Sequence, residues 1–155
     1  MFKLDNKTAI ISGGSKGIGK AIALKYAEAG ANVIICSRKK ENLETAVNEA
    51  TSNGLNINAI ECNTGDIDSI NNVVSYTKDK FGGIDILVNN AAANPYYGPI
   101  LNSEDSHWDK IFQVNVKGYF EFAKACSTSM IENKSGKIIN VASIAAKTPL
   151  SGLGV

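Results

Sequence analysis

Short apolar runs alternate along the chain with longer segments whose apolar positions recur every three or four residues. "TAIIS" (8–12), "NVIIC" (32–36), "INAIEC" (57–62), "IDILVNN" (84–90) and "KIINVAS" (137–143) are of the first kind and predict β-strands, the last read as buried. The intervening segments are helical in period. Ile18, Ile22 and Tyr26 share one face of a first helix that meets a stop signal at Gly30. Leu43, Ala46, Val47 and Ala50 stripe a second helix. A third opens near Asp66 and carries Ile67, Ile70, Val74, Thr77 and Phe81. After a loop, "AAANPYYGPILN" (91–102), the pattern predicts one long helix from about Ser103 to Asn133. Strands separated by helices imply parallel pairing through right-handed crossovers, hence an α/β sandwich with both sheet faces covered. Repeats and linker-like tracts are absent, so a single domain over residues 1–155 is expected.

Composition adds mainly exclusions. With 155 residues, 44% hydrophobic and 20% charged, the chain suits one core-forming domain. A formal net charge of +1 offers no electrostatic case for nucleic acid or an anionic membrane. The start, "MFKLDNK", contains no signal-peptide apolar region, and no apolar stretch approaches the ~18 residues of a membrane span. Cys36, Cys62 and Cys126 are odd in number and far apart in sequence, which points to a reducing, cytoplasmic compartment and away from a metal site.

Chemistry first shows where the first strand hands over to the first helix, in "SGGSKGIG" (12–19). Gly13, Gly17 and Gly19 follow a G-x-x-x-G-x-G spacing. Glycines there allow positive φ and a close approach of the backbone to a diphosphate, which the helix N-terminus attracts. The alternative is a tight turn without a ligand. At the end of the second strand, "CSRKK" puts Ser37 where an acidic residue would bond a ribose 2′-hydroxyl, with Arg38 behind it. Arginine suits a 2′-phosphate, and Lys16 adds a second positive charge, so NADP(H) is expected over NAD(H); the alternative is a solvated basic turn.

"NNAA" (89–92), "NVKG" (115–118) and Ser143 complete a series that, with "SGGSKGIG", resembles the short-chain dehydrogenase/reductase family over the whole chain. "NNAAANPYYGPI" is similar to its NADPH-dependent carbonyl and retinal reductase branch, and also to many 3-oxoacyl carrier-protein reductases. The resemblance implies a Rossmann-like doubly wound parallel sheet of about five strands in the order 3-2-1-4-5. It also implies hydride transfer between NADP(H) and a small carbonyl or alcohol substrate, with a homo-oligomer for the full-length parent. Gly13, Ser15, Lys16, Gly17, Ile18 and Gly19 would face the cofactor with Ser37 and Arg38. Asn90, Ala91 and Ala92 would run beside the ribose and nicotinamide, and Asn63 would lie near the adenine. The family usually has aspartate at the position of Asn63, and glycine at that of Ala92.

Two residues carry expected catalytic roles. Asn115 shares a helical face with Trp108, Ile111, Phe112, Tyr119 and Phe122, so an amide stands in an apolar stripe. Either it is a satisfied structural amide, bonding a helix carbonyl, or, as the resemblance implies, it holds a water in a proton relay. Ser143 would position the substrate carbonyl, or else caps its own backbone at a strand end. His107 reads as surface or packing, and Tyr96 and Tyr97 are candidates for a substrate pocket.

The family's proton donor is a tyrosine commonly thirteen residues after the serine, with a lysine four residues further on. Val155 is the twelfth residue after Ser143, so that tyrosine falls outside this sequence. The expectation is therefore the N-terminal part of a reductase, inactive by itself. The alternative is a non-catalytic dinucleotide-binding fragment.

Overall fold

The computed structural model describes residues 3–148 and 151–152, so the stretch that follows Ser143 lies partly outside the described residues. Five parallel strands form one sheet in the order β3-β2-β1-β4-β5: β1 (Thr8–Ser12), β2 (Asn32–Ser37), β3 (Ile57–Glu61), β4 (Ile86–Asn89) and β5 (Lys137–Asn140). Helices α1 (Gly17–Glu28), α2 (Lys40–Ser52) and α3 (Ile67–Phe81) follow the first three strands. The result is the doubly wound Rossmann-like sheet expected from the sequence.

Side chains alternate across β1, so each face acquires its own core. Ala9 and Ile11 join Val33, Ile35, Leu43 and Ala46 under α1 and α2. Ile10 turns the other way, to Ile34, Ile70, Val73, Leu87 and Phe122 under α3 and the helix before β5. Local chemistry sets the helix ends. Asp66 caps α3 by accepting from Asp68 N at 3.2 Å, and Gly82 closes it in a left-handed conformation at φ 78°.

The long helix divides into α4 (Asp105–Ile111), a π-helical segment (Phe112–Lys117) and α5 (Gly118–Glu132). Wider π turns advance the register, so a stripe drawn at 3.6 residues per turn does not carry through. Phe122 is buried, whereas Trp108 and Phe112 are exposed, and the expected apolar stripe around Asn115 is broken. Gly118 lies where the helix meets the turn after β3. A Cβ there would fall on the carbonyl oxygen of Thr64.

Three further expectations change. Ile18 and Ile67 belong to first helical turns that project past the sheet, and both are exposed. The strand β5 is not buried. Among the described residues it pairs only with β4, and Ile138 and Ile139 are 44% and 42% exposed. It also ends at Asn140, so Ser143 lies beyond the ladder. Among the described residues, no helix is long and apolar enough to cross a membrane.

Candidate functional site

The carboxyl ends of β1, β2, β3 and β4 open onto a cleft of about 510 Å³. This is the edge of a doubly wound sheet where the strand order reverses, the usual place for a ligand in such folds. The cleft gathers Gly13, Ser15, Lys16, Gly17, Ile18, Ser37, Arg38, Asn63, Asn90, Ala91 and Ala92 from four separate stretches of sequence.

Its first wall is the glycine loop. Gly13 and Gly17 take φ +65° and +56°, values that glycine adopts at no steric cost. A Cβ on Gly13 would sit 2.9 Å from the Cα of Ala91, whereas one on Gly17 would meet nothing within 4 Å. Gly17 thus borders open space at the head of α1. Lys16 precedes that helix in extended conformation with no side-chain cap, leaving first-turn amides for a ligand. Gly19 does not line the cleft. It is buried, and a Cβ there would fall on Asn90 Nδ2 and the Gly13 carbonyl.

Hydrogen bonds tie this wall to the β4 side. The Ser12 hydroxyl accepts from Asn90 N at 3.0 Å and Ala91 N at 3.1 Å. Asn90 Nδ2 donates to the carbonyls of Ser12 at 3.0 Å and Gly13 at 3.2 Å. Ser12 was not among the expected residues, because a strand-terminal serine gives no signal of what it will meet 78 positions away. Ser12→Ala leaves two amides unpaired, and an uncompensated buried donor costs about 1–3 kcal/mol. Urea denaturation should show a loss of that order, with wild-type stability excluding the role.

The β2 end is the charged end. Lys16, Arg38 and Lys39 line it, and none forms a salt bridge with another described residue. The Ser37 hydroxyl oxygen is buried without a hydrogen-bond partner among the described residues. An unsatisfied buried oxygen beside unpaired cations fits an anionic or hydroxylated ligand group. Lys39 was legible in "CSRKK", although only Arg38 was singled out. Asn42, Cys62, Thr64, Ala93 and Val114 also line the cleft. Val114 carried no sequence signal, because it arrives through the π-helical segment. Asn63 spends its Oδ1 on Gly65 N at 3.2 Å.

The two expected catalytic residues lie outside the cleft wall. Asn115 bonds the backbone of Ala93 twice, accepting from its N at 2.8 Å and donating to its O at 2.9 Å. Its partners are therefore in the loop after β4, and not on a helix carbonyl. Ser143 is exposed and accepts from Ala145 N at 3.1 Å, capping a short turn at Ile144–Ala146. His107 serves packing, stacking on Tyr96 at 4.8 Å and accepting from Glu104 N. One tyrosine has a lysine four residues on. Lys80 Nζ donates to Tyr76 Oη at 3.2 Å, but this exposed pair stands on α3 and does not line the cleft.

The sequence profile of the short chain dehydrogenase family matches residues 7–155. Dehydrogenase/reductase SDR family member 4 from Oryctolagus cuniculus is 41% identical over 151 residues, covering 97% of this chain and 58% of that protein. The Homo sapiens protein of the same name is 38% identical over 149 residues, covering 96% and 54%. The chain thus spans somewhat more than half the length of these curated relatives. A metagenomic short-chain oxidoreductase in complex with NADP superposes with TM-score 0.89 at 32% identity, over 97% of this chain and 68% of that one. NAD+-bound xylitol dehydrogenase gives TM-score 0.91 at 28% identity, over 97% and 58%. A glycine loop opening α1, a cleft at the strand-order reversal and a profile match from Lys7 onward agree: this chain belongs to the short-chain dehydrogenase family of oxidoreductases.

Proposed function

We propose that this chain forms the NADP(H)-binding part of a reductase that interconverts carbonyl and alcohol groups on a small substrate. The observation that carries the cofactor choice is the β2 end of the cleft, where Lys16, Arg38 and Lys39 lack salt-bridge partners among the described residues beside the orphaned Ser37 oxygen. The first turn of α1 and the glycine loop would hold the diphosphate, and the basic cluster with Ser37 the 2′-phosphate. Asn63 would flank the adenine through its free amide nitrogen, and Ala91–Ala93 would run beside the nicotinamide half.

Bound NADPH supplies a hydride. The residues here would orient it: Asn90 and Ser12 fix the wall, and Asn115 holds the Ala93 backbone. The second lone pair of the Asn115 carbonyl oxygen is left for a water that relays a proton. Ser143 would release Ala145 N and turn its hydroxyl toward the substrate oxygen. The non-catalytic reading draws on the same serine, since its oxygen is engaged by its own turn and stands outside the cleft.

Calorimetric titration with NADPH and NADH tests this. A charge-assisted contact is worth about 1.5–3 kcal/mol, so NADPH should bind about 10- to 150-fold tighter at low salt. The gap should narrow as salt rises, because the cations are exposed. Equal affinity for the two, at any salt, overturns the NADP(H) reading.

A further inference from the structure

The three cysteines are far apart in sequence but enter one core cluster, two of them from neighbouring strand ends. Cys36 is paired in register with Ile60, and Cys62 lies two positions beyond on the same face of the sheet. Its backbone N donates to the Ser37 carbonyl at 2.9 Å, which holds the residue against the end of β2. Both side chains enter the core cluster under α3 and α5, and both are buried as free thiols. Cys62 differs in one respect: it also lines the dinucleotide cleft, between Ser37 and Asn63.

We propose that Cys36 and Cys62 form an oxidation-sensitive dithiol in the wall of the cleft, which hydroperoxides convert to a disulfide and which a bound dinucleotide shields. Cys62 lines the cleft and Cys36 is fully buried behind the wall, so a hydroperoxide entering the cleft meets Cys62 first. The Cys62 thiolate attacks one peroxide oxygen, giving a sulfenic acid and expelling hydroxide or alkoxide. The Cys36 thiol then attacks the Cys62 sulfur, the S–S bond forms, and the sulfenic oxygen leaves as water after taking up the thiol proton. The two thiols lose two electrons together and the peroxide gains them.

The proton distribution in the pair favours this order. Cys36, close by, together with Ser69 holds Cys62 below the ordinary thiol value against the opposing effect of burial. The closeness of Cys62, together with burial, pushes Cys36 well above it. Cys62 is therefore the nucleophile and Cys36 the resolving thiol. Cys126 is the internal control, pushed up to about 12 by burial and away from the cleft wall. Residue 62 lies just past the end of β3, where backbone movement can bring the sulfurs to bonding distance. That movement drags on Asn63 and Thr64, which line the same cleft.

The shielding rests on the dinucleotide reading above, whereas the disulfide does not, and the experiment separates them. The reduced chain is first titrated with NADP+ by calorimetry, then treated with hydrogen peroxide with and without NADP+, and its thiols are located by peptide mapping. Without NADP+, a Cys36–Cys62 linkage is expected, with Cys126 still a thiol and dithiothreitol reversing the link. With NADP+ at about 100 Kd the open form is about 1% of the chain, so linkage should slow on the order of 100-fold. Cys36→Ser should leave Cys62 oxidised but unlinked, and Cys62→Ser should leave Cys36 reduced. Cys36 and Cys62 both remaining thiols after peroxide overturns the proposal, and so does an unchanged linkage rate with NADP+ that calorimetry shows to be bound. If calorimetry shows no NADP+ binding, the dinucleotide reading fails and the peptide map of the wild-type chain alone decides the dithiol. That map also decides it should either variant fail to fold.

Discussion

Gly17→Val is expected to abolish dinucleotide binding while leaving the fold intact. Gly17 holds φ +56°, a conformation that costs a β-branched residue about 1–3 kcal/mol. The cost is tolerable for folding, because a Cβ at this position meets nothing within 4 Å. The same open space is what a diphosphate would use to reach the first-turn amides of α1. Valine puts three carbon atoms into it. Calorimetry with NADP+ should show no measurable binding, and circular dichroism should show an unchanged helix and sheet content. Gly17→Ala separates the two effects, since it carries most of the backbone strain and only one methyl group. Its binding should be weakened and not lost. A folded Gly17→Val variant with wild-type affinity would remove the phosphate site from this loop.

Arg38→Asp is expected to invert the cofactor preference. The substitution removes one of three cations at the β2 end and places a carboxylate beside the orphaned Ser37 oxygen. Loss of a charge-assisted contact costs about 1.5–3 kcal/mol, or roughly 10- to 150-fold in affinity. A new carboxylate repels a 2′-phosphate and accepts from a 2′-hydroxyl. Affinity for NADPH should fall by that factor or more, and affinity for NADH should hold or rise. Lys16 and Lys39 remain in the variant, so residual NADPH binding should depend more weakly on salt than in the wild type. Equal losses for NADPH and NADH would make Arg38 a solvated turn residue and shift the cofactor reading to Lys16 and Lys39.

Strand positions and parallel pairing were legible before the structure for reasons of periodicity, whereas the sheet order and much of the cleft followed from the resemblance to the short-chain dehydrogenase/reductase family. Ala9, Ile10 and Ile11 declare a strand buried on both faces, and the 3.6-residue stripes of the second and third helices pack as their spacing implies. "SGGSKGIG" and "CSRKK" follow successive strands, and parallel pairing brings successive strand ends to one edge. Eleven of the expected site residues accordingly share one cleft. The first-turn apolar residues Ile18 and Ile67 were misplaced because periodicity does not tell where a helix clears the sheet. The helix through Asn115 was drawn unbroken because a π-helical segment has the composition of an α-helix.

What the sequence by itself determined was therefore the set of elements, their parallel pairing and the chemistry at their junctions, all of which depend on near neighbours along the chain. What only the tertiary structure decided are partnerships across long separations. Ser12 receiving the amides of Asn90 and Ala91, Asn115 clasping Ala93, and Cys36 and Cys62 entering one core cluster from neighbouring strand ends join residues from 22 to 79 positions apart. No local pattern encodes such pairs. They arise because strands laid side by side bring distant strand ends within hydrogen-bonding reach, where each buried polar group must find a partner or be left, like the Ser37 oxygen, without one.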